Sequence, residues 1–311
     1  MPDVRIEDLN AGVLSSPASF VFWAEREYEN RIRELAERIG GDNRLRVVFI
    51  AGPSGSGKTT TANLLADAVI GCGRRCIVLS LDDFYLAADS PTYPRNPDGT
   101  PNFETVYALD LDAIADTLSD IAADRAFKLP KYDFKKSRRV AVNEHAALDG
   151  GVVIIEGLHA LNPLISAAIP KEVGLKIFIS VSTNITKDGE RIISGRKLRF
   201  LRRMIRDSIY RATSPEQTVE MWGGVLAGED EYLYPTRKYA DIDFDTFHAF
   251  ELSVMRPFAE ALITEPVAER SVLARVALAA ARCAAPIDLS LLPETSLIRE
   301  FVPGGIYEDL Y

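Results

Sequence analysis

An α/β fold, with a largely parallel sheet flanked by helices, is predicted by three features of this 311-residue chain. Short apolar runs alternate with segments of helical periodicity, the pattern of strands joined by crossover helices. Leu45–Ala51 is continuously apolar and β-rich, as expected of a strand covered on both faces. A glycine-rich loop follows that run directly and opens onto a helical segment.

Taken in order, the elements are these. Ser16 to about Arg38 reads as an amphipathic helix: Ser15-Ser16-Pro17 offers a cap followed by proline in the first turn, and Phe20, Trp23, Ala24, Tyr28, Ile32, Leu35 and Ile39 recur at three-to-four spacing. Gly40-Gly41 is expected to stop it. After the strand at Leu45–Ala51, a helix is expected from Gly57 to about Ile70 and a buried strand at Cys76–Ser80. Asp110 caps a helix through Ala123. Val152–Ile155 and Leu175–Val181 are further apolar strands. Residues 86–103 and 125–150, rich in proline, charge and turn formers, read as insertions beside the sheet. Past Phe250 the chain turns helical, with Ser271–Ala284 strongly alanine-rich. The organisation expected is a helical extension over 1–44, a nucleotide-binding domain over 45–265 with a lid at about 184–216, and a helical extension over 266–311 packed on that domain.

Composition narrows the function classes. The chain is 47% apolar and 26% charged, with net charge −9, which argues against general nucleic-acid coating. No run approaches the roughly 18 apolar residues needed to cross a bilayer. Met1-Pro2-Asp3-Val4-Arg5 lacks the charged-then-apolar build of a secretory signal. Cys72, Cys76 and Cys283 show no paired spacing and suit reduced thiols. A cytoplasmic protein with a small-molecule partner, and without nucleic-acid or membrane partners, is expected; a homo-oligomer stays open.

Gly52-Pro53-Ser54-Gly55-Ser56-Gly57-Lys58-Thr59 fits GxxxxGK[ST] throughout, between a strand and a helix as its mechanism requires. The glycines permit positive φ and expose consecutive amides, which with the helix N-terminus surround a polyphosphate. Residues Gly52, Ser54, Gly55, Ser56, Gly57, Lys58, Thr59 and Thr60 are therefore candidates to hold ATP. Lys58 reaches the β- and γ-phosphates, and Thr59 offers its hydroxyl to Mg²⁺.

Phosphoryl transfer also needs metal-held phosphates and an oriented nucleophile, both at the carboxyl ends of strands. Asp82-Asp83 follow one strand and Glu156 another. These carboxylates can hold Mg²⁺, and Asp82 can take the proton of an attacking hydroxyl. A turn or cap at Asp82-Asp83, and a salt-bridged strand end at Glu156, are the plainer readings. Nine basic residues lie between Lys187 and Arg211, opposed by Asp188, Glu190 and Asp207. They read either as a solvated helix face or as a mobile lid closing over phosphates, with Gly189 and Gly195 as hinges. His145, His159 and His248 show no zinc spacing; His159 draws interest by following Glu156 closely.

The succession of motifs resembles the uridine kinase and phosphoribulokinase family, nearest its bacterial uridine-kinase-like nucleoside kinases. The phosphate loop is followed by Ser80-Leu81-Asp82-Asp83-Phe84-Tyr85, Pro101-Asn102-Phe103-Glu104, Pro130-Lys131-Tyr132-Asp133-Phe134 and Ile155-Glu156-Gly157-Leu158-His159-Ala160-Leu161-Asn162-Pro163. Arg202-Arg203-Met204-Ile205-Arg206-Asp207 is similar to the family's lid motif, and Tyr234–Asp241 and Thr295–Phe301 also look familiar. No stretch of the sequence resembles the N-terminal TGS module that some relatives carry.

The resemblance implies ATP-dependent phosphorylation of a nucleoside 5′-hydroxyl, uridine or cytidine favoured, with ATP on residues 52–60. It makes Asp82 the base, Glu156 and Thr59 the magnesium-associated pair, and Arg203, Arg206 and Arg211 the lid groups near the phosphates. Lys58, Asp82, Arg203 and Arg206 are then the catalytic set. Tyr85, Glu104 and Tyr132 surround the nucleoside, and Asp83, Ser137, Arg139 and His159 complete the candidate acceptor side. Ser137 stands where uridine–cytidine kinases have a base-contacting histidine, Thr213 replaces an arginine, and Met221 replaces a glutamine. A kinase of another hydroxyl compound, such as a sugar phosphate or pantothenate-like acceptor, is the rival reading. A nucleotide-binding regulator is the more distant one, since no NKxD segment is present.

Overall fold

The computed structural model describes residues 3–96, 99–133 and 136–308. It opens with a strand absent from the sequence reading, β1 (Asp3–Arg5), and a helix, α1 (Ile6–Ser15). Ser16 then turns extended, its hydroxyl accepts from the Ser19 amide, and Pro17 starts α2 (Pro17–Gly41). The helix ends at Gly41, where the glycine pair was expected to stop it, and Asp42 beyond it is extended.

The central sheet is built from β2 (Val47–Ala51), β3 (Cys76–Ser80), β6 (Val152–Glu156), β7 (Gly174–Ser180) and β10 (Ile242–Asp245), all parallel, in the order β3–β6–β2–β7–β10. Every residue of β2 and β6 is buried, which explains their apolar sequences, broken only by Glu156 at the end of β6. Helix α3 (Lys58–Gly71) returns the chain from β2 to β3, and α4 (Leu111–Ala122), capped by the Asp110 carboxylate, covers the opposite face. Because β3 and β7 lie on opposite sides of β2, the loops after β2, β3 and β6 open around one crevice at their carboxyl ends.

Residues 125–150 are not irregular. They contain an antiparallel hairpin, β4 (Phe127–Asp133) with β5 (Arg138–His145). The sequence hides it because β5 is largely exposed and carries little apolar signal. Phe134, part of the tyrosine–aspartate–phenylalanine motif, lies outside the described residues. A short helix α5 (Pro163–Ser166) follows β6.

The expected lid is two strands and a helix: β8 (Asn184–Lys187), β9 (Glu190–Ile193) and α6 (Gly195–Tyr210). β1 pairs in parallel with β8, which pairs with β9, so the N-terminus fastens the base of this region. Gly189, at φ +83°, makes the hairpin turn. Gly195 is a packing glycine rather than a hinge, since a Cβ there would stand 2.0 Å from the Val181 carbonyl oxygen.

After α6 come α7 (Pro215–Gly228), a π-helical turn at Glu229–Leu233, and beyond β10 the helices α8 (Glu251–Leu262), α9 (Glu265–Arg270) and α10 (Val272–Cys283). The helical C-terminal extension holds only to Cys283. From Ala284 the chain runs extended with two short 3₁₀ turns, and Leu297 and Phe301 are wholly buried.

Candidate functional site

The loop from Gly52 to Gly57 is held from behind. The Ser54 carbonyl accepts from Arg199 at 2.7 Å, the Gly55 carbonyl from Arg202 at 3.4 Å, and the Ser56 carbonyl from the Thr246 hydroxyl at 2.7 Å. Gly55 and Gly57 adopt left-handed backbone, at φ +72° and +85°. Gly52 is required for space, since a Cβ there would meet the Ile179 carbonyl oxygen at 2.4 Å. With its carbonyls bonded outward, the loop turns its remaining amides toward the crevice. Among the described residues those of Gly55, Gly57, Lys58 and Thr59 find no protein acceptor, and they stand at the N-terminus of α3. Ser54 differs: its amide donates to Glu229 at 3.0 Å and its hydroxyl accepts from Arg203 at 2.8 Å. Thr60 differs too: its amide and hydroxyl both donate to Glu300, at 3.4 and 2.9 Å. Among the described residues the Ser56 hydroxyl is buried without a partner, and the Lys58 ammonium makes only a long contact to the Pro53 carbonyl, 3.4 Å.

Two acids face this loop. Asp82 lies in the 3₁₀ turn after β3, its amide bonded to the Ser80 hydroxyl. Glu156 is the last residue of β6, paired with Ile50 and Ser80 in its neighbouring strands. Burial pushes Glu156 up to about 7, with repulsion from Asp82 adding to the shift and Lys58 opposing it. Asp82 opens onto the crevice, yet the surrounding protein desolvates it enough to raise it; Lys58 and then Arg211 pull the other way, and Asp83 adds to the rise.

This donor set fits a hard divalent cation. The two carboxylates and the Thr59 hydroxyl are candidate oxygen ligands, and a cation would offset both the burial that raises Glu156 and its repulsion from Asp82. Among the described residues there is no cluster of three or more His, Cys, Asp or Glu able to hold a metal. A cation here would need further ligands from water or from bound phosphate oxygens.

The basic run resolves into two classes. Arg199 and Arg202, neither more than 1% exposed, are structural: Arg199 pairs with Glu229 at 2.8 Å and Arg202 with Glu251 at 2.6 Å. Neither a solvated face nor a mobile lid describes them. Arg203, Arg206 and Arg211 all gather on buried Asp207, at 3.1, 2.7 and 3.8 Å. Asp207 thus orients three arginines, of which Arg203 also reaches the phosphate loop at the Ser54 hydroxyl, a role the sequence reading did not assign. Its spacing from Arg203 and Arg211, four residues each way on one helix, was the available signal.

On the acceptor side, Glu104 shares the charge environment of Arg203, Asp82 and Lys58, and burial raises it. Tyr85 packs against Tyr132 and Phe103, with centroids 5.7 and 6.0 Å apart, and its hydroxyl donates to the Phe103 carbonyl. Other candidates are engaged elsewhere. Asp83 accepts from the Tyr132 amide at 3.1 Å and pairs with Lys131 at 3.3 Å, anchoring the hairpin. Arg139 is paired with Asp110 at 3.0 Å. Ser137 sits in the hairpin turn at φ +51°, and its carbonyl accepts from Ala88. His159 is buried beside the Tyr232 ring and pushed down to about 4, so it is neutral at pH 7; neither ring nitrogen makes a well-formed bond among the described residues, the Glu104 main chain being a weak neighbour.

The sequence model described as "Phosphoribulokinase / Uridine kinase family" matches residues 47–253. A uridine kinase of Deinococcus deserti is 29% identical over 197 residues, 63% of this chain and 85% of that protein. Uridine-cytidine kinase A of Dictyostelium discoideum is 30% identical over 198 residues, 63% of this chain and 35% of that protein. A solved structure described as a possible uridine kinase from Bacillus stearothermophilus is 20% identical, with a TM-score of 0.45, covering 70% of this chain and all of that one.

Proposed function

Because this P-loop kinase chain belongs to the phosphoribulokinase and uridine kinase family, we propose that it transfers the terminal phosphoryl group of ATP to the 5′-hydroxyl of a nucleoside, uridine or cytidine favoured. The acceptor oxygen bonds to the γ-phosphorus, the bond from that phosphorus to the β,γ-bridging oxygen breaks, and ADP and nucleoside 5′-monophosphate result. Mg²⁺ would be held by Thr59, Glu156 and Asp82, and would supply charge neutralisation at the phosphates. The observation that carries the reading is the placement of Asp82, exposed in the 3₁₀ turn that follows β3 at the carboxyl end of the sheet, within the electrostatic reach of Lys58 of the phosphate loop and of Arg211.

The chain's own residues account for the rest. Asp82 orients the hydroxyl and receives its proton. The amides of the loop and Lys58 hold the triphosphate. Arg203, Arg206 and Arg211, fixed by Asp207, face the charge that builds on the transferred group. Glu104 is placed to bond sugar hydroxyls, and Tyr85 and Tyr132 offer rings for a base to pack on.

One observation favours a second reading. Ser137 stands in the hairpin turn where a base-contacting histidine was expected, and Arg139 is ion-paired with Asp110. A site without a polar partner for the pyrimidine edge discriminates poorly for it, and this suits a smaller hydroxyl acceptor. The test is ADP release from Mg·ATP across a panel of nucleosides, sugar phosphates and pantothenate. The expected result is fastest release with uridine or cytidine. Release with a sugar phosphate alone moves the protein to the second reading, and nucleotide binding without release for any acceptor indicates a regulator.

A further inference from the structure

Residues 254–308 lie beyond the family match, yet part of them is built into the phosphate loop. Leu297 packs against Gly57, where a Cβ would come within 2.8 Å of its side chain. Glu300, 4% exposed, accepts from the Thr60 amide and hydroxyl with one carboxylate oxygen and faces the Arg206 guanidinium at 4.0 Å with the other. The segment is held firmly in place. The Ser296 hydroxyl donates to Glu25, the Arg299 guanidinium bonds the carbonyls of Leu289 and Leu292, and the Phe301 ring lies 5.0 Å from the Arg202 guanidinium.

From this placement we infer that Glu300 is a positioning residue of the phosphoryl-transfer site: it ties the first turn of α3 to Arg206, so that an arginine and the loop it serves are set by one carboxylate from the C-terminal segment. Arg206 has a second acid partner, Asp207, on its own helix. Asp207 fixes it relative to α6, whereas Glu300 fixes it relative to the phosphate loop. The second relation is the one transfer needs, because the arginine must meet charge that develops on a group held by that loop. A carboxylate there also repels bound phosphates, so it weakens ground-state binding while it aligns the arginine. Opposing effects on binding and turnover separate this role from support of the fold.

The inference rests on the proposed kinase reaction, and the wild-type protein with its best acceptor is the control that tests that reaction separately. In active protein, Glu300→Gln is expected to lower kcat at least tenfold, to leave affinity for ADP in direct titration equal or tighter, and to keep the melting temperature near wild type. Glu300→Asp is expected to recover much of the turnover. Thr60→Val, which keeps the carboxylate and removes the hydroxyl donor, provides a second variant if Glu300→Gln folds poorly, and it too is expected to lower kcat. An unchanged kcat in both variants overturns the assignment. So does a fall that follows loss of folded protein, or one that ADP affinity follows downward, because either places Glu300 in the fold or in ground-state binding.

Discussion

The two ends of the crevice are built in different ways. The phosphate end is fixed by buried ion pairs: Arg199–Glu229 and Arg202–Glu251 each bond loop carbonyls from behind, and Asp207 gathers three further arginines. The acceptor end is assembled from aromatic contacts among Tyr85, Tyr93, Phe103 and Tyr132 and from half-exposed pairs such as Arg139–Asp110. A triphosphate presents the same charges whatever acceptor is used, so its cradle can be rigid. Acceptor recognition depends on shape and on a few polar groups, and there the chain relies on a hairpin and a long loop packed edge to edge. Rigid geometry at one end and adaptable packing at the other allow the phosphate chemistry to stay fixed while the acceptor varies.

The sharpest test of the phosphate end is Asp82→Asn, which keeps the shape and removes the base. Turnover is expected to fall by roughly 10²–10⁴-fold, with nucleotide affinity unchanged, as read by single-turnover ADP release and nucleotide titration. Wild-type turnover removes Asp82 from the chemistry. Next in size is Glu251→Gln. Arg202 and Glu251 are both 0% exposed at their side chains, so breaking the pair strands a buried guanidinium, and a loss of about 3–5 kcal/mol is expected from denaturant unfolding. A loss below about 1 kcal/mol, the range of a surface pair, would show that this end is not built as described.

The same contrast explains what the sequence disclosed. The phosphate loop was legible because its mechanism fixes residue types at fixed spacing, and β2, β6 and β7 because burial on both faces demands mostly apolar runs, broken only by Glu156 at the end of β6 and by polar positions such as Lys176 in β7. Asp82, Asp83 and Glu156 could be placed at strand ends for the same reason. The partners that hold the loop were not legible. Glu229 lies 175 residues beyond Ser54, Glu251 lies 49 beyond the Arg202 it holds, and Glu300 lies 240 beyond Thr60, and an acid in a helix looks the same whether it meets water or a buried arginine. The arginines of α6 were therefore read as exposed or mobile. The hairpin was missed because β5 is largely exposed and its register is set by contacts with β4 rather than by its own pattern.

Buried ion pairs at one end leave buried titratable groups there, and these give the third test. Glu25 sits 6% exposed beneath the C-terminal segment; burial pushes it up to about 7, opposed by the Ser296 hydroxyl, raised further by Glu29 and lowered by Arg299. A carboxyl protonated to about pH 7 when folded, and ionised from about 4.5 when unfolded, gives the folded state the extra proton between those values. Its stabilisation is complete below the lower value and is lost as pH rises through the upper one. His248, 4.0 Å away and pushed down to about 3 by burial, acts with the opposite sign: stability is lost as pH falls below its unfolded value near 6.5. The two offset each other in the wild type. Glu25→Gln keeps an acceptor for Ser296 and removes one member, so stability relative to wild type should rise between about pH 5 and 8, by at most about 3 kcal/mol. Thermal unfolding across that range checks it, and parallel curves for the two proteins would place the Glu25 titration elsewhere.

The smallest effect on stability is expected at the acceptor end, and it decides how loosely that end is made. Arg139 and Asp110 are 31% and 26% exposed at their side chains, 3.0 Å apart. Water screens such a pair, so Arg139→Met should cost under about 1 kcal/mol. Asp110 keeps its other task, since its second carboxylate oxygen caps α4 through the Ala113 amide. Tyr132, directly opposite Arg139 in the hairpin register, keeps its main-chain bond to Asp83. The substitution therefore leaves the frame standing and removes one charge beside the acceptor. If Arg139 serves only the hairpin, the KM for the acceptor stays where it is. If it leaves Asp110 to meet the acceptor, KM rises while kcat and nucleotide affinity hold, and a charged acceptor, such as a sugar phosphate, suffers more than an uncharged nucleoside. That difference between acceptors tells whether the looser end reads charge or only shape.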